Sequence, residues 1–159
     1  MTPAVRALEA AAVPFSLHEY QHDDASRDYG REAAAALGLD PDQVFKTLLV
    51  TAGDPVRGGE LAVAIVPVSA KLSLKAAGAA LGWKRVEMCD PALAQRATGY
   101  VLGGISPFGQ KRALRTAIDE TCELYDVIYV SGGRRGLDVG VAPPDLVRLL
   151  GAVVAELTG

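Results

Sequence analysis

Residues 61–68, LAVAIVPV, form a run that is hydrophobic on both faces of an extended chain. Such a run is typical of a central strand, because other layers cover both of its faces. The segment before it, FKTLLVTA at 45–52, is also β-like and has Lys46 as its single charge. The stretch between them, GDPVRGGE at 53–60, indicates a hairpin-type loop. Together these segments predict the middle of a β-sheet.

Shorter elements surround this pair without a strict alternation of strands and helices. Further strands are predicted at 15–20, 84–88, 113–119, 126–133 and 137–142, with another that starts at Tyr100 and runs into a Gly/Pro loop. Helices are predicted within 3–12, 31–38, 73–82, 90–99 and 143–157, several with a capping residue before them or a glycine after them. This order favours an α+β fold, a single domain over 1–159 with a mixed, curved sheet.

The composition is that of a globular domain. Of 159 residues, 50% are hydrophobic and 22% are charged. No apolar stretch approaches the roughly 20 residues that cross a bilayer, and the N-terminus predicts an amphipathic helix rather than a signal peptide. Cys89 and Cys122 have neither CxxC nor metal-type spacing, which fits a reducing cytosol. We therefore expect a cytoplasmic protein that does not enter a membrane.

The charge is distributed unevenly along the chain. The net charge is -3, yet residues 66–136 carry ten Lys and Arg against six Asp and Glu, whereas residues 1–65 carry five against ten. The whole molecule is therefore not an obvious nucleic-acid binder. Its basic middle is either a set of solvated faces or a contact surface.

The residues that usually perform covalent or metal-assisted hydrolysis are poorly placed. His18 and His22 are four residues apart, but one falls on a strand and the other in a loop, and there is no HExxH motif and no third His. Neither Cys has a base beside it in the sequence, so burial explains both better than nucleophilic catalysis. GxSxG, Walker and GxGxxG motifs are also missing. We expect no metal and no cofactor.

Lys46 and two glycine-rich loops remain as candidates. Lys46 is either a strand-edge residue that extends its ammonium into water or a point charge directed at a phosphate or carboxylate. GGISPFGQ at 103–110 is either a tight turn or a place where backbone N–H groups approach a ligand closely. SGGRRG at 131–136 is either a simple hairpin or an anion-binding turn with Arg134 and Arg135.

Several longer motifs occur together and in order along the chain. They are MTPAV at the start, HEYQHD, VFKTLLV, KRVEM, AQRATGY, GGISPFGQK and IYVSGGRRGLD. From residue 1 to about residue 150 the chain resembles the bacterial YbaK family. These are freestanding Cys-tRNA(Pro) deacylases related to the editing domain inserted in bacterial prolyl-tRNA synthetases. The resemblance implies a mixed α/β domain whose curved, partly closed sheet is flanked by helices.

The resemblance also implies a set of site residues. Lys46 matches the essential lysine of the family, which is placed to hold the 3′ end of the tRNA, and Gly103 lies in the loop that approaches the ester carbonyl. The other matching positions are expected to bind substrate: Tyr20, Tyr29 (usually Phe in relatives), Thr47, Ser131 and Asp138.

The chemistry implied by the family needs no protein nucleophile. The thiol of the substrate's own cysteine attacks its ester carbonyl, which yields a thiolactone and free tRNA. A thiol is a few per cent thiolate near neutral pH and is intrinsically nucleophilic. Alanyl and prolyl esters are therefore expected to be poor substrates.

The implied partners are misacylated tRNA and, transiently, prolyl-tRNA synthetase. One alternative is a deacylase of other misacylated tRNAs, such as Ala-tRNA(Pro) or Ser-tRNA, that activates water. Another is a non-catalytic module that binds tRNA or a synthetase.

Overall fold

The computed structural model describes residues 1–53 and 59–159. Its α-helices are α1 (Pro3–Ala10), α2 (Tyr29–Leu37), α3 (Leu74–Leu81), α4 (Pro91–Thr98) and α5 (Pro143–Leu150). Its strands are β1 (Phe15–Glu19), β2 (Phe45–Ala52), β3 (Leu61–Pro67), β4 (Val86–Met88), β5 (Arg115–Asp119), β6 (Ile128–Arg134), β7 (Leu137–Val141) and β8 (Val153–Ala155). Most of the predicted loop between β2 and β3 lies outside the described residues.

The strands form two sheets that meet at one corner. The larger has the order β4-β2-β3-β5-β8, with antiparallel pairing around β2 and parallel pairing from β3 to β8. The smaller is antiparallel, with the order β1-β7-β6. A parallel bridge between Val44 and Tyr129 joins the two. The predicted α+β fold with a mixed sheet is therefore confirmed.

Strand β3 occupies the centre of the larger sheet, as its two-sided hydrophobic pattern predicts. All seven of its residues are buried. Val63 and Ile65 belong to the main core cluster, which also includes residues of α1, α4, α5, β6 and β7. Ala62, Ala64 and Val66 face a second cluster, packed against α3. The small sheet and most helices thus cover one face of β3, and α3 covers the other.

Capping side chains mark the starts of three helices, and glycines mark the ends of three, at positions that the sequence predicts. The side chains of Thr2, Ser73 and Asp90 accept hydrogen bonds from backbone N–H groups in the first turns of α1, α3 and α4. Glycines in the left-handed conformation end α2, α3 and α4.

Two predicted elements are wrong. No strand starts at Tyr100, because this residue is buried in a compact loop where its hydroxyl donates to the Phe108 carbonyl at 2.6 Å. The last helix does not extend to 157, because Gly151 ends α5 in the left-handed conformation with φ 59°. The residues after it pair in parallel with β5 as strand β8. Within the described residues, no helix is long and apolar enough to span a membrane.

Candidate functional site

A cavity of about 280 Å³ lies where the start of β2 and the start of α2 meet the loop after α4 and the β6–β7 hairpin. These segments are far apart in the sequence, and the fold brings them to one place. All seven residues predicted for the site line this cavity: Tyr20, Tyr29, Lys46, Thr47, Gly103, Ser131 and Asp138.

Lys46 places an ammonium group in the cavity wall. It is the second residue of β2 and pairs in register with Val66 of the central strand, so its backbone is held firmly. Burial lowers the pKa of Lys46, and the nearby Asp28 carboxylate partly opposes that shift. Among residues 1–53 and 59–159, no carboxylate forms a salt bridge with it. The charge is therefore available to an anionic ligand.

Thr47 and Ser131 add hydroxyl groups to the same wall. The Thr47 Oγ1 atom is buried and has no hydrogen-bond partner among the described residues. Since buried polar atoms are almost always paired, a bound ligand is a natural partner for this hydroxyl. Ser131 Oγ accepts a hydrogen bond from the Gly133 N–H at 3.2 Å, which orients it at the start of the hairpin.

Tyr20 and Asp138 form the polar end of the cavity. Asp138 is 5% exposed, and burial raises its pKa from 3.8 to about 7. Burial and the Asp138 charge raise the pKa of Tyr20, so its phenol keeps its proton near neutral pH. The Tyr20 backbone N–H donates to the Gly136 carbonyl at 2.9 Å, which holds it beside the hairpin.

Gly103 packs directly on the ring of Tyr29. Its φ is +81°, and a Cβ atom at this position would lie 2.5 Å from Tyr29 Cδ1. A side chain would therefore strain the backbone and displace the ring. Behind them, the Arg135 guanidinium lies 4.8 Å from the Tyr29 ring centroid and donates to the Tyr29 hydroxyl at 3.2 Å.

Comparison with known proteins agrees with this architecture. The sequence model of the aminoacyl-tRNA editing domain matches residues 25–149. The chain belongs to this family. A protein of Enterococcus faecalis assigned as a Cys-tRNA(Pro)/Cys-tRNA(Cys) deacylase, EbsC, is 35% identical, and the match covers 99% of this chain and 93% of EbsC. The family resemblance predicted from the sequence motifs is therefore confirmed.

Solved structures have the same fold as this editing domain. One, described as a trans-editing enzyme for prolyl-tRNA synthetase, superposes with a TM-score of 0.81 at 26% identity and covers 100% of this chain and 99% of its own. Another, the hypothetical protein APE2540, gives a TM-score of 0.86 at 24% identity and covers 99% of each chain. The second likeness concerns the fold alone.

The histidines and cysteines of this editing domain are engaged outside the cavity. His18 Nε2 lies 2.8 Å from Ser16 Oγ, and its ring packs edge-on against Tyr129. His22 Nδ1 lies 2.6 Å from Glu32 Oε1. Ser131, although it lies in the wall, thus has no imidazole base.

The thiols are no better placed for catalysis. Burial raises the pKa of the Cys89 thiol, and it raises the pKa of Cys122 to about 11. Neither lines the cavity. In the part of the chain that the structure describes, no group of three His, Cys, Asp or Glu side chains could hold a metal ion.

Several charged residues of the site were not predicted from the sequence. Arg27 and Asp28 line the cavity, and the charge of Arg31 acts on Lys46. Arg27 and Asp28 lie within the polar stretch QHDDASRDYG, and Arg31 follows it directly. Since polar loops held by a rigid scaffold often carry binding residues, this stretch was the available signal.

The hypothesis of an anion-binding turn at residues 131–136 does not hold for both Arg134 and Arg135, because the two side chains have different surroundings. Arg134 is exposed and lies 3.7 Å from Glu19. Arg135 instead turns toward Tyr29 and donates to the Leu102 carbonyl at 2.7 Å. The two glycine-rich loops are therefore packed together, and Arg135 belongs to the support of the cavity.

Proposed function

We propose that this editing domain is a freestanding deacylase that removes cysteine from mischarged tRNA(Pro), using the substrate's own thiol as the nucleophile. One observation carries this proposal. The cavity combines an available ammonium, a close-approach glycine and a buried carboxyl, and none of the described residues that line it is a Cys or His that could serve as nucleophile or base. Such a site suits a substrate that supplies its own attacking group.

Each wall of the cavity has a role in this proposal. Lys46 holds a phosphate at the 3′ end of the tRNA, because a rigidly mounted ammonium suits a phosphate. Asp138 receives the α-ammonium of the aminoacyl group. Tyr20, Thr47 and Ser131 provide hydrogen bonds to the ribose and the ester, and the ring of Tyr29 closes the apolar side.

The reaction then follows from the geometry of the substrate. The cysteine sulfur forms a bond to the ester carbonyl carbon, and the carbonyl electrons move to oxygen. Collapse of this oxyanion breaks the bond to the ribose 3′ oxygen, which takes up the thiol proton. Holding thiol and carbonyl together can give effective molarities of roughly 10⁵–10⁸ M. One donor aimed at the oxyanion contributes about 2.7–4 kcal/mol.

We propose that the domain selects its substrate by the attached amino acid rather than by the tRNA body. The Enterococcus faecalis relative is named for both tRNA(Pro) and tRNA(Cys). This supports a site that reads the cysteinyl group and the common 3′ end. We further propose that prolyl-tRNA synthetase, in transient association, presents tRNA(Pro). The domain would then act in the cytoplasm, where aminoacyl-tRNAs are made and used.

Multiple-turnover deacylation of Cys-tRNA(Pro) tests the proposal. With substrate in tenfold excess, the wild type should release all the cysteine, and Lys46→Ala should reduce kcat/KM by about 100-fold or more, since a charged contact to substrate is lost. Lys75→Ala is the matched control, because Lys75 is exposed on α3 and does not line the cavity. Protection of the ester without turnover would replace the enzyme by a tRNA-binding module.

A further inference from the structure

Arg135 does not line the cavity but contacts two residues that do. Its Nε atom donates to the Leu102 carbonyl at 2.7 Å, and its Nη2 atom donates to the Tyr29 hydroxyl at 3.2 Å. The same guanidinium packs on the Tyr29 ring, 4.8 Å from its centroid. One half-buried side chain therefore fastens the start of α2 to the loop that carries Gly103.

The bond to Leu102 fixes the direction of the next N–H group. The carbonyl of Leu102 and the N–H of Gly103 belong to one peptide unit, and in a planar trans peptide they point in opposite directions. Among the described residues, no backbone carbonyl accepts a hydrogen bond from Gly103, whereas the Gly104 N–H donates to Val101 at 2.9 Å. Of these two adjacent N–H groups, the one at Gly103 is thus left for a ligand.

The charge of Arg135 also strengthens this donor. A cationic donor on a peptide carbonyl polarises the whole amide, so the N–H at its other end becomes a better hydrogen-bond donor. The guanidinium keeps its charge at any physiological pH, and its fork reaches two acceptors at once. A lysine at this position has one nitrogen and cannot reproduce both contacts in the same geometry.

We infer that Arg135 is a positioning residue for deacylation, which holds the Leu102–Gly103 peptide so that the Gly103 N–H meets the oxyanion. This inference rests on the proposed function. In the reaction step, sulfur bonds to the carbonyl carbon and the carbonyl electron pair moves to oxygen, where the Gly103 N–H donates to it. The leaving 3′ oxygen takes the thiol proton. Arg135 itself neither gains nor loses a proton.

Single-turnover kinetics on Cys-tRNA(Pro) separate positioning from binding. Arg135→Ala should lower the first-order rate constant by about 100-fold, and Arg135→Lys by about tenfold, because loss of one oxyanion donor costs about 10²–10³ in rate. The substrate Kd should stay within about threefold, since oxyanion contacts form only in the transition state.

Two controls make the kinetic result specific to Arg135. Arg134→Ala removes the neighbouring exposed arginine and should leave the rate unchanged. Ethylguanidine added to Arg135→Ala should restore part of the rate, and it should not affect Arg134→Ala. If Arg135→Ala does not fold, Arg135→Lys carries the same test. An unchanged rate constant in Arg135→Lys, or a loss confined to Kd, overturns the inference.

The amide signal of Gly103 tests the positioning without any activity. In ¹⁵N-labelled Arg135→Lys, this signal should shift more than that of Gly78 in α3, whereas Arg134→Ala should leave it in place. An unmoved Gly103 signal overturns the inference even if the enzyme is slower. Absence of deacylation by the wild type would instead reject the proposed function, and the two failures are therefore distinguishable.

Discussion

Asp138 shows how a buried residue can serve function at the expense of stability. Its carboxyl is 5% exposed, and burial raises its pKa from 3.8 to about 7. Strand β7 is fully buried and pairs on both sides, so this side chain cannot move to water without breaking the small sheet. A buried carboxyl with a raised pKa that lines a cavity is the kind of group that binding sites use.

The pH dependence of stability follows from the sign of this shift. Since the folded-state pKa is raised, the protonated form stabilises the fold fully below about pH 4, and that stability is lost as the pH rises to about 7. We therefore expect Asp138→Asn to match the wild type at pH 4 and to exceed it above pH 7 by up to about 4 kcal/mol, at about 1.4 kcal/mol per pKa unit.

Urea unfolding of both proteins between pH 4 and pH 8 checks this prediction. Asp126→Asn is the control, because Asp126 is an exposed carboxylate whose substitution should change stability by less than about 0.5 kcal/mol. The Asp138→Asn protein should at the same time lose deacylation, since it cannot hold an α-ammonium by charge. A variant that gains no stability at pH 8 would show that the carboxyl is well solvated.

At the scale of elements, α1 supports the hairpin that carries Ser131 and Asp138. The Thr2 hydroxyl caps α1 by accepting from Val5 N at 3.2 Å, and it donates to the Gly132 carbonyl at 2.5 Å. The chain start and strand β6 are thus joined by one side chain.

Thr2→Ala should lower the unfolding free energy by about 0.5–2 kcal/mol, the usual range for a lost N-cap. Thr2→Ser retains the hydroxyl and should stay within about 0.5 kcal/mol of the wild type. Denaturant unfolding of the two variants measures the difference. Equal stability of Thr2→Ala and Thr2→Ser would mean that the hydroxyl does not cap α1.

The sequence predicts elements best where the signal is local. The caps at Ser73 and Asp90 and the two-sided pattern of β3 are such signals, and the structure agrees with them. Strand β8 was missed because a helical pattern continued past Gly151, and only pairing with β5 makes these residues a strand. That pairing is a tertiary contact without a local signal.

The site residues were predicted from the family resemblance rather than from local sequence signals. Lys46 and Gly103 came from the resemblance to a family, since their own patterns left structural alternatives open. The role of Arg135 could not be predicted, because its partner Leu102 is 33 residues away. A contact between two loops depends on how the sheets pack, and no periodicity in the sequence records it.

For the whole molecule, the uneven charge bears on how tRNA is held. The net charge of -3 opposes binding to the tRNA body, while Arg31 and Lys71 act on Lys46 near the cavity. We therefore expect few phosphate contacts at the 3′ end, about three, one for each of Lys46, Arg31 and Lys71.

Three such contacts set the expected salt dependence. Between 50 and 200 mM salt, KM for Cys-tRNA(Pro) should rise by roughly tenfold to 20-fold, since the slope is about -0.7 per phosphate for single strands. A minihelix with only the acceptor stem should show the same slope. A rise of 1,000-fold on the full tRNA would indicate a footprint extending along the duplex.

The central claim is that the substrate's thiol, and no group of the protein, attacks the ester. The most direct measurement is release of amino acid from Cys-tRNA(Pro), Ser-tRNA(Pro) and Ala-tRNA(Pro) by the wild type, with the sulfur product identified by mass spectrometry. We expect rapid release of cysteine alone, first as the thiolactone. Comparable release of alanine, or free cysteine with no thiolactone stage, would assign the attack to water and contradict it.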